Sequence, residues 1–187
     1  GRSLSSKELG ILFRNCQKDK SITGIRDSAL LAVMVTTGLR RSEVASLVIA
    51  DYDHNARQLH VSRTKGNKDR VCKLPSATSM LLDKWINKRT EEKEPIFCRI
   101  RKNNNIELKP LSSQAVYNIV KARADEASLG KVRPHDLRRS FVTRLLESNV
   151  DINTVRQLVG HTDIKTTSRY DLRTPNARKL LESIISF

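Results

Sequence analysis

Aromatic side chains occupy only 4% of the 187 positions. Proteins that grip unpaired nucleic-acid strands stack bases on aromatic platforms, so that mode of binding is disfavoured. Contact through phosphates and grooves is the better expectation for any nucleic-acid partner. Cysteine is equally scarce. Cys16, Cys72 and Cys98 are far apart, odd in number and never in a Cys-x-x-Cys pair, which argues against a disulfide framework or a zinc cluster. They read as reduced, partly buried thiols of an intracellular protein. No segment offers roughly 18 consecutive apolar residues, and no charged-then-apolar leader opens the chain, so membrane association and secretion are both disfavoured.

What the chain has in excess is positive charge. Lys and Arg total 35 against 20 Asp and Glu, a formal net charge of +15, which points to a polyanionic partner, DNA or RNA. An apolar content of 38% suffices to bury a core, and neither an internal repeat nor a low-complexity tract breaks the chain. One compact domain over 1–187 is the simplest organisation.

Local patterns give a mainly helical α+β fold. Ser5-x-x-Glu8 is a capping box ahead of Leu9, Leu12 and Phe13, and a second helix from about Ile25 to Thr37 stops at Gly38. A short third helix follows over 42–47. From Gln58 to Leu74 the period drops to two on either side of Lys65-Gly66-Asn67-Lys68-Asp69, which predicts a β-hairpin with a basic tip. A helix over 76–89 carries Leu81, Leu82, Trp85 and Ile86, and Ile96-Phe97-Cys98 adds a third short strand. Helices over 112–127, 135–148 and 152–159 come next, the last capped by Asp151 and ended by Gly160. Asp163 caps a short helix reaching Tyr170, and Thr174-Pro175 opens a last one carrying Leu180, Leu181, Ile184 and Ile185. The sum is a helical bundle with a small antiparallel sheet on one side.

Four pieces could carry chemistry, and each has a bland reading when taken alone. Arg40, just after a glycine turn with Glu43 three residues on, reads as a surface ion pair. His135 and Arg138 share a helical face at i, i+3 and read as a solvated helix start. His161 follows a helix-ending glycine as a cap, and a lone Tyr170 is usually surface or core. Their order and spacing in a chain of +15 with a basic hairpin make chance co-occurrence improbable.

The stretches TGLRRSEVASL around Arg40, RTKGNKDRVCKLP (63–75), HDLRRSFVTRLL (135–146) and LVGHTDIKTTSRY (158–170) together resemble the tyrosine recombinase (phage integrase) family, in a pattern similar to the bacterial Xer-type enzymes. The resemblance covers nearly the whole chain. It implies a catalytic domain in which the Tyr170 hydroxyl attacks a DNA phosphodiester, leaving a 3′-phosphotyrosyl enzyme and a free 5′-hydroxyl. Because the bond energy is stored in the phosphotyrosine, no cofactor, metal or ATP is implied, and no Walker-type glycine loop is present. By the same resemblance Arg40 and Arg138 clamp the phosphate oxygens, His135 assists proton removal from Tyr170 or holds the phosphate, His161 donates to a phosphate oxygen and Glu43 orients the site. Lys65 matches the family's general acid, with Lys68 its rival. Arg41, Arg63, Lys68, Arg70 and Arg139 are expected to contact DNA, Arg139 standing where the family often has His.

The resemblance further implies double-stranded DNA as partner, a homo-tetramer on DNA with a monomer possible for the isolated domain, and a cytoplasmic, nucleoid-associated location. The helical domain that in the family grips the opposite face of the duplex is expected to be absent here, so binding should be weak and salt-dependent, with a slope of about −0.9 per phosphate neutralised. The segment 175–186 docks into a neighbouring subunit or closes its own domain. Chromosome-dimer resolution and phage or mobile-element integration both remain open. So do type IB topoisomerase-like relaxation and a non-catalytic DNA-binding module. A metal-dependent nuclease or transposase is the third alternative, disfavoured because Asp51-x-Asp53 reads as a turn and the other acidic run is Glu91, Glu92 and Glu94.

Overall fold

A computed structural model of the protein describes residues 1–62, 69–89 and 95–160. The expected helices over 163–170 and 175–186 lie outside these residues, as does the hairpin tip.

Helix α1 (Ser6–Lys18) starts at the expected capping box, with Ser5 accepting from the Glu8 N–H while the Glu8 carboxylate accepts from Ser5 N–H at 2.8 Å. It buries Leu9, Leu12, Phe13 and Cys16 at the spacing of one helical stripe. Helix α2 (Ile22–Thr37) begins three residues earlier than expected because Ser21 caps the Gly24 N–H. Ala29 through Val35 are 0% exposed, so α2 is the central rod around which the other elements pack, as an all-round apolar helix requires. Across it, Arg123 of α5 (Ser113–Glu126) ties Asp27 at 2.9 Å and Asp19 at 2.8 Å. Breaking such a buried pair on one side alone would leave an uncompensated charge.

After α3 (Arg41–Ser46) and a 3-10 turn over Ile49–Asp51, strands β1 (Tyr52–Asp53), β2 (Gln58–Val61) and β3 (Arg70–Lys73) form an antiparallel sheet in that order. The expected hairpin is β2–β3, paired from Gln58↔Lys73 to Val61↔Arg70. Strand β1 was not anticipated. Asp51 and Asp53 serve turns there, accepting the Val48 and Ala56 N–H groups at 2.9 and 2.8 Å.

Helix α4 (Ser76–Ile86) ends three residues short of expectation, where the Lys88 and Arg89 N–H groups bond three residues back, to the Trp85 and Ile86 carbonyls, and Arg89 turns inward to donate to the Pro95 and Ile96 carbonyls. The third strand is displaced too. Ile96 N–H bonds to the Leu47 carbonyl and its own carbonyl accepts Trp85 Nε1 at 2.8 Å, so its backbone is spoken for. The strand, β4 (Cys98–Ile100), pairs instead with β5 (Ile106–Pro110) in a separate two-stranded sheet.

Helices α6 (Pro134–Glu147) and α7 (Ile152–Val159) share a second, smaller core of Phe141, Val142, Leu145, Leu146, Val155 and Val159. That seating fixes where the C-terminal end of α7 meets α6. The three cysteines are buried and form no disulfide with one another. Among the described residues no helix is long and apolar enough to cross a membrane.

Candidate active site

The site grows from two helix ends that finish against α6. Gly38 closes α2 in the left-handed conformation at φ 63°, and Gly160 closes α7 in the same way at φ 65°. The last carbonyls of a helix lack intrahelical partners and carry the negative pole of its dipole. Arg138 occupies the gap between these ends. Its Nη1 donates to the Gly38 carbonyl at 2.5 Å and its Nη2 to the Val159 carbonyl at 2.7 Å. The residue is 4% exposed, so it is not the solvated helix start that its local sequence suggests. A planar guanidinium can serve two diverging acceptors at once; an ammonium cannot fork in this way.

Arg40 stands at the N-cap of α3 beside the same α7 terminus, its Nη2 donating to the Gly160 carbonyl at 3.4 Å. Unlike Arg138 it is open, with a side chain 42% exposed. His135, the second residue of α6, faces the space between the two arginines. Cover by its neighbours, and then the Arg138 charge, push its pKa below the ordinary 6.5. The imidazole is therefore neutral at pH 7 and able to accept a proton. Arg40, Arg138 and His135 line one cleft of about 270 Å³ with Arg41, Arg133 and Tyr117. Among the described residues no carboxylate lines it, which suits an anion.

Glu43 sits behind this cleft. It accepts the Arg40 N–H at 2.7 Å and a bidentate pair from Arg70 at 3.1 and 2.9 Å. Burial pushes its pKa up, but hydrogen bonds from Arg70 and the Arg40 backbone, with the charges of both arginines, hold it at about 2. Its folded pKa lies below the ordinary value of 4.5, so the stabilisation is complete above that pH and drains away as pH falls toward 2.

Residues 2–176 match the phage integrase family. The chain belongs to the phage integrase family. Among its relatives in that family, tyrosine recombinase XerA of Pyrococcus furiosus is 33% identical over 183 residues, covering 98% of this chain and 60% of that protein. Tyrosine recombinase XerD of Lacticaseibacillus casei is 34% identical over 174 residues, 90% of this chain and 57% of XerD. The chain thus spans less than two thirds of these relatives. A crystal structure of XerA recombinase shares the fold at a TM-score of 0.79 and 23% identity, over 98% of this chain and 63% of that one. XerH site-specific recombinase, in a post-cleavage complex with palindromic difH substrate, superposes at 0.74 with 25% identity, over 90% and 49%.

For this phage integrase family domain the structure brings together Arg40, His135 and Arg138, with Glu43 in support. Lys65, His161 and Tyr170, and the expected DNA contacts Arg63 and Lys68, lie outside the described residues. Arg41 opens onto the cleft with its guanidinium carbon 6.0 Å from the centre of the Tyr117 ring. Arg139 donates to the Gly1 carbonyl at 2.9 Å. Arg70, expected to contact DNA, has a side chain only 8% exposed and is paired with Glu43. Tyr117 and Arg133 were not anticipated. Arg133 stands two residues before His135 and could have been read as part of that motif; nothing local marks Tyr117.

Gly38 gives a first test of this architecture. A Cβ on it would lie 2.5 Å from Phe141 Cδ1, in a backbone conformation that L side chains resist. Gly38→Ala should therefore lower stability by about 2–4 kcal/mol, from left-handed strain plus overpacking against α6. Urea unfolding checks this; an unchanged midpoint would contradict the packing described.

Proposed function

We propose that this domain cuts and rejoins DNA strands through a phosphotyrosine formed at Tyr170. The observation that carries the reading is the convergence of Arg40 with His135 and Arg138 on one cation-lined cleft, although the two stretches that supply them lie about 95 positions apart in the chain. Two guanidiniums suit a five-coordinate phosphorane-like state, whose added charge they stabilise more than that of the ground-state diester. His135, neutral at pH 7, would take the phenol proton as the Tyr170 oxygen attacks phosphorus. The 5′-oxygen would leave with a proton from Lys65, and His161 would donate to a phosphate oxygen. Attack by a 5′-hydroxyl on the phosphotyrosine then restores the diester, so bond count and energy are conserved and no external energy source is needed.

Double-stranded DNA is the partner in this reading, supported by the excess of 35 basic over 20 acidic residues and by the DNA-bound state of the XerH relative. Assembly as a tetramer on DNA and a place in the cytoplasm at the nucleoid belong to the same reading.

The direct test incubates the chain with nicked duplexes of randomised sequence in low salt and EDTA. An SDS-resistant protein–DNA band is expected, with a free 5′-hydroxyl strand released and a yield that falls steeply as salt rises. Duplex binding without any covalent band would overturn the catalytic reading in favour of a binding module.

A further inference from the structure

The Glu43 carboxylate lies immediately behind Arg40, and its placement raises a physical problem for a phosphate clamp. A buried anion in contact with a clamp arginine competes with the phosphate for that arginine, and its attraction grows as the surrounding dielectric falls. Glu43 is 12% exposed in its side chain and its Oε1 is 3.2 Å from Arg40 Nη1. Arg70, the first residue of β3, approaches the same carboxylate from the side of the sheet. It gives one N–H to each oxygen, at 3.1 and 2.9 Å, from a side chain 8% exposed. The parallel, two-point geometry is the strong form of this pairing. Arg40 keeps a single, longer side-chain contact with Glu43 and remains open to the cleft.

We propose that Arg70 is a positioning residue that neutralises Glu43 from behind, so that the Arg40 guanidinium meets a DNA phosphate with its charge uncompensated. This inference rests on the catalytic reading above. Three charges stand in a row from the sheet to the cleft, and the two farther from the cleft, Arg70 and Glu43, cancel. Glu43 is then free to hold the Arg40 backbone N–H, which fixes the turn, without drawing the side chain back from the cleft. Removing the Arg70 charge leaves the carboxylate facing Arg40 at full strength. Removing the Glu43 charge as well returns the net charge behind Arg40 to zero.

The test compares wild type, Arg70→Met and Arg70→Met with Glu43→Gln, using the nicked duplexes described above. Arg70→Met should slow formation of the covalent adduct by about tenfold or more, with a smaller change in duplex affinity. The double variant should regain most of that rate. A residue that only filled space would give no such rescue, and a double variant as slow as Arg70→Met would overturn the proposal, as would an unaltered rate in Arg70→Met. If circular dichroism shows Arg70→Met unfolded, Arg70→Gln takes its place with the same expectations.

A second readout needs no DNA. Rotation of the Arg40 guanidinium, followed by nitrogen-15 NMR, should slow in Arg70→Met and recover in the double variant, and unaltered rotation would also overturn the proposal. If wild type forms no adduct, the catalytic reading fails while this measurement still decides whether Arg70 relieves Arg40.

Discussion

Tyr170→Phe should abolish the covalent protein–DNA band, with cleavage falling by about 10⁴-fold or more, as expected if the proposed nucleophile is deleted. The ring is retained and only the reacting oxygen is lost, so duplex affinity should change little. Gel analysis under denaturing conditions measures the first quantity and fluorescence anisotropy the second. The chain has three tyrosines, and the other two supply internal controls. Tyr52 is tied to Ser79 and Asp83, and burial, with the Asp83 hydrogen bond and charge added, pushes its pKa up to about 12 against the opposing Ser79 bond. A phenol so hard to ionise is a poor nucleophile. Tyr117 is the serious rival because it lines the cleft itself. Tyr117→Phe should leave the covalent band in place. A band that survived in Tyr170→Phe and vanished in Tyr117→Phe would move the nucleophile and dismantle the assignment.

Most of the helices were legible because their signals are local. Ser5 with Glu8 and Asp151 with Gly160 each act within one or two turns of the helix they delimit. The meeting of Arg40 with His135 and Arg138 in one cleft was legible only as a set of motifs. Arg138 taken alone reads as solvated, because the carbonyls that bury it come from Gly38 and Val159, 100 and 21 positions away, and no periodicity records such distances. The burial of Arg70 was hidden for the same reason, since nothing local in a basic hairpin points to a carboxylate partner 27 positions away. Strands β4 and β5 were obscured by composition. Ile96 and Phe97 are the apolar residues that mark the segment, yet they pack at 0% exposure outside the ladder, while the paired residues include Arg99, Glu107 and Pro110.

Arg138→Ala carries the second large effect, and its interest lies in separating two roles of one side chain. The guanidinium joins the ends of α2 and α7 to α6 through two charge-assisted hydrogen bonds. Losing them should cost about 2–3 kcal/mol of folding stability, since bonds to a charged group contribute about 1.5–3 kcal/mol each and water can reach part of the vacated space. If Arg138 is one of the two clamp guanidiniums proposed above, the same loss should also slow cleavage by about 10²-fold or more. These effects separate by measurement, because urea titration gives the folded fraction and the rate can be expressed per folded molecule. Arg138→Lys sharpens the division. It retains the charge but cannot span both carbonyls, so it should remain at least about tenfold slow if a fork is what the phosphate needs. Methylguanidine added to Arg138→Ala should restore part of the rate by occupying the vacated slot, without restoring the link from α6 to the two helix ends, because the free guanidinium is not attached to α6. Wild-type cleavage per folded Arg138→Ala molecule would remove this residue from the clamp and leave it a purely structural bolt.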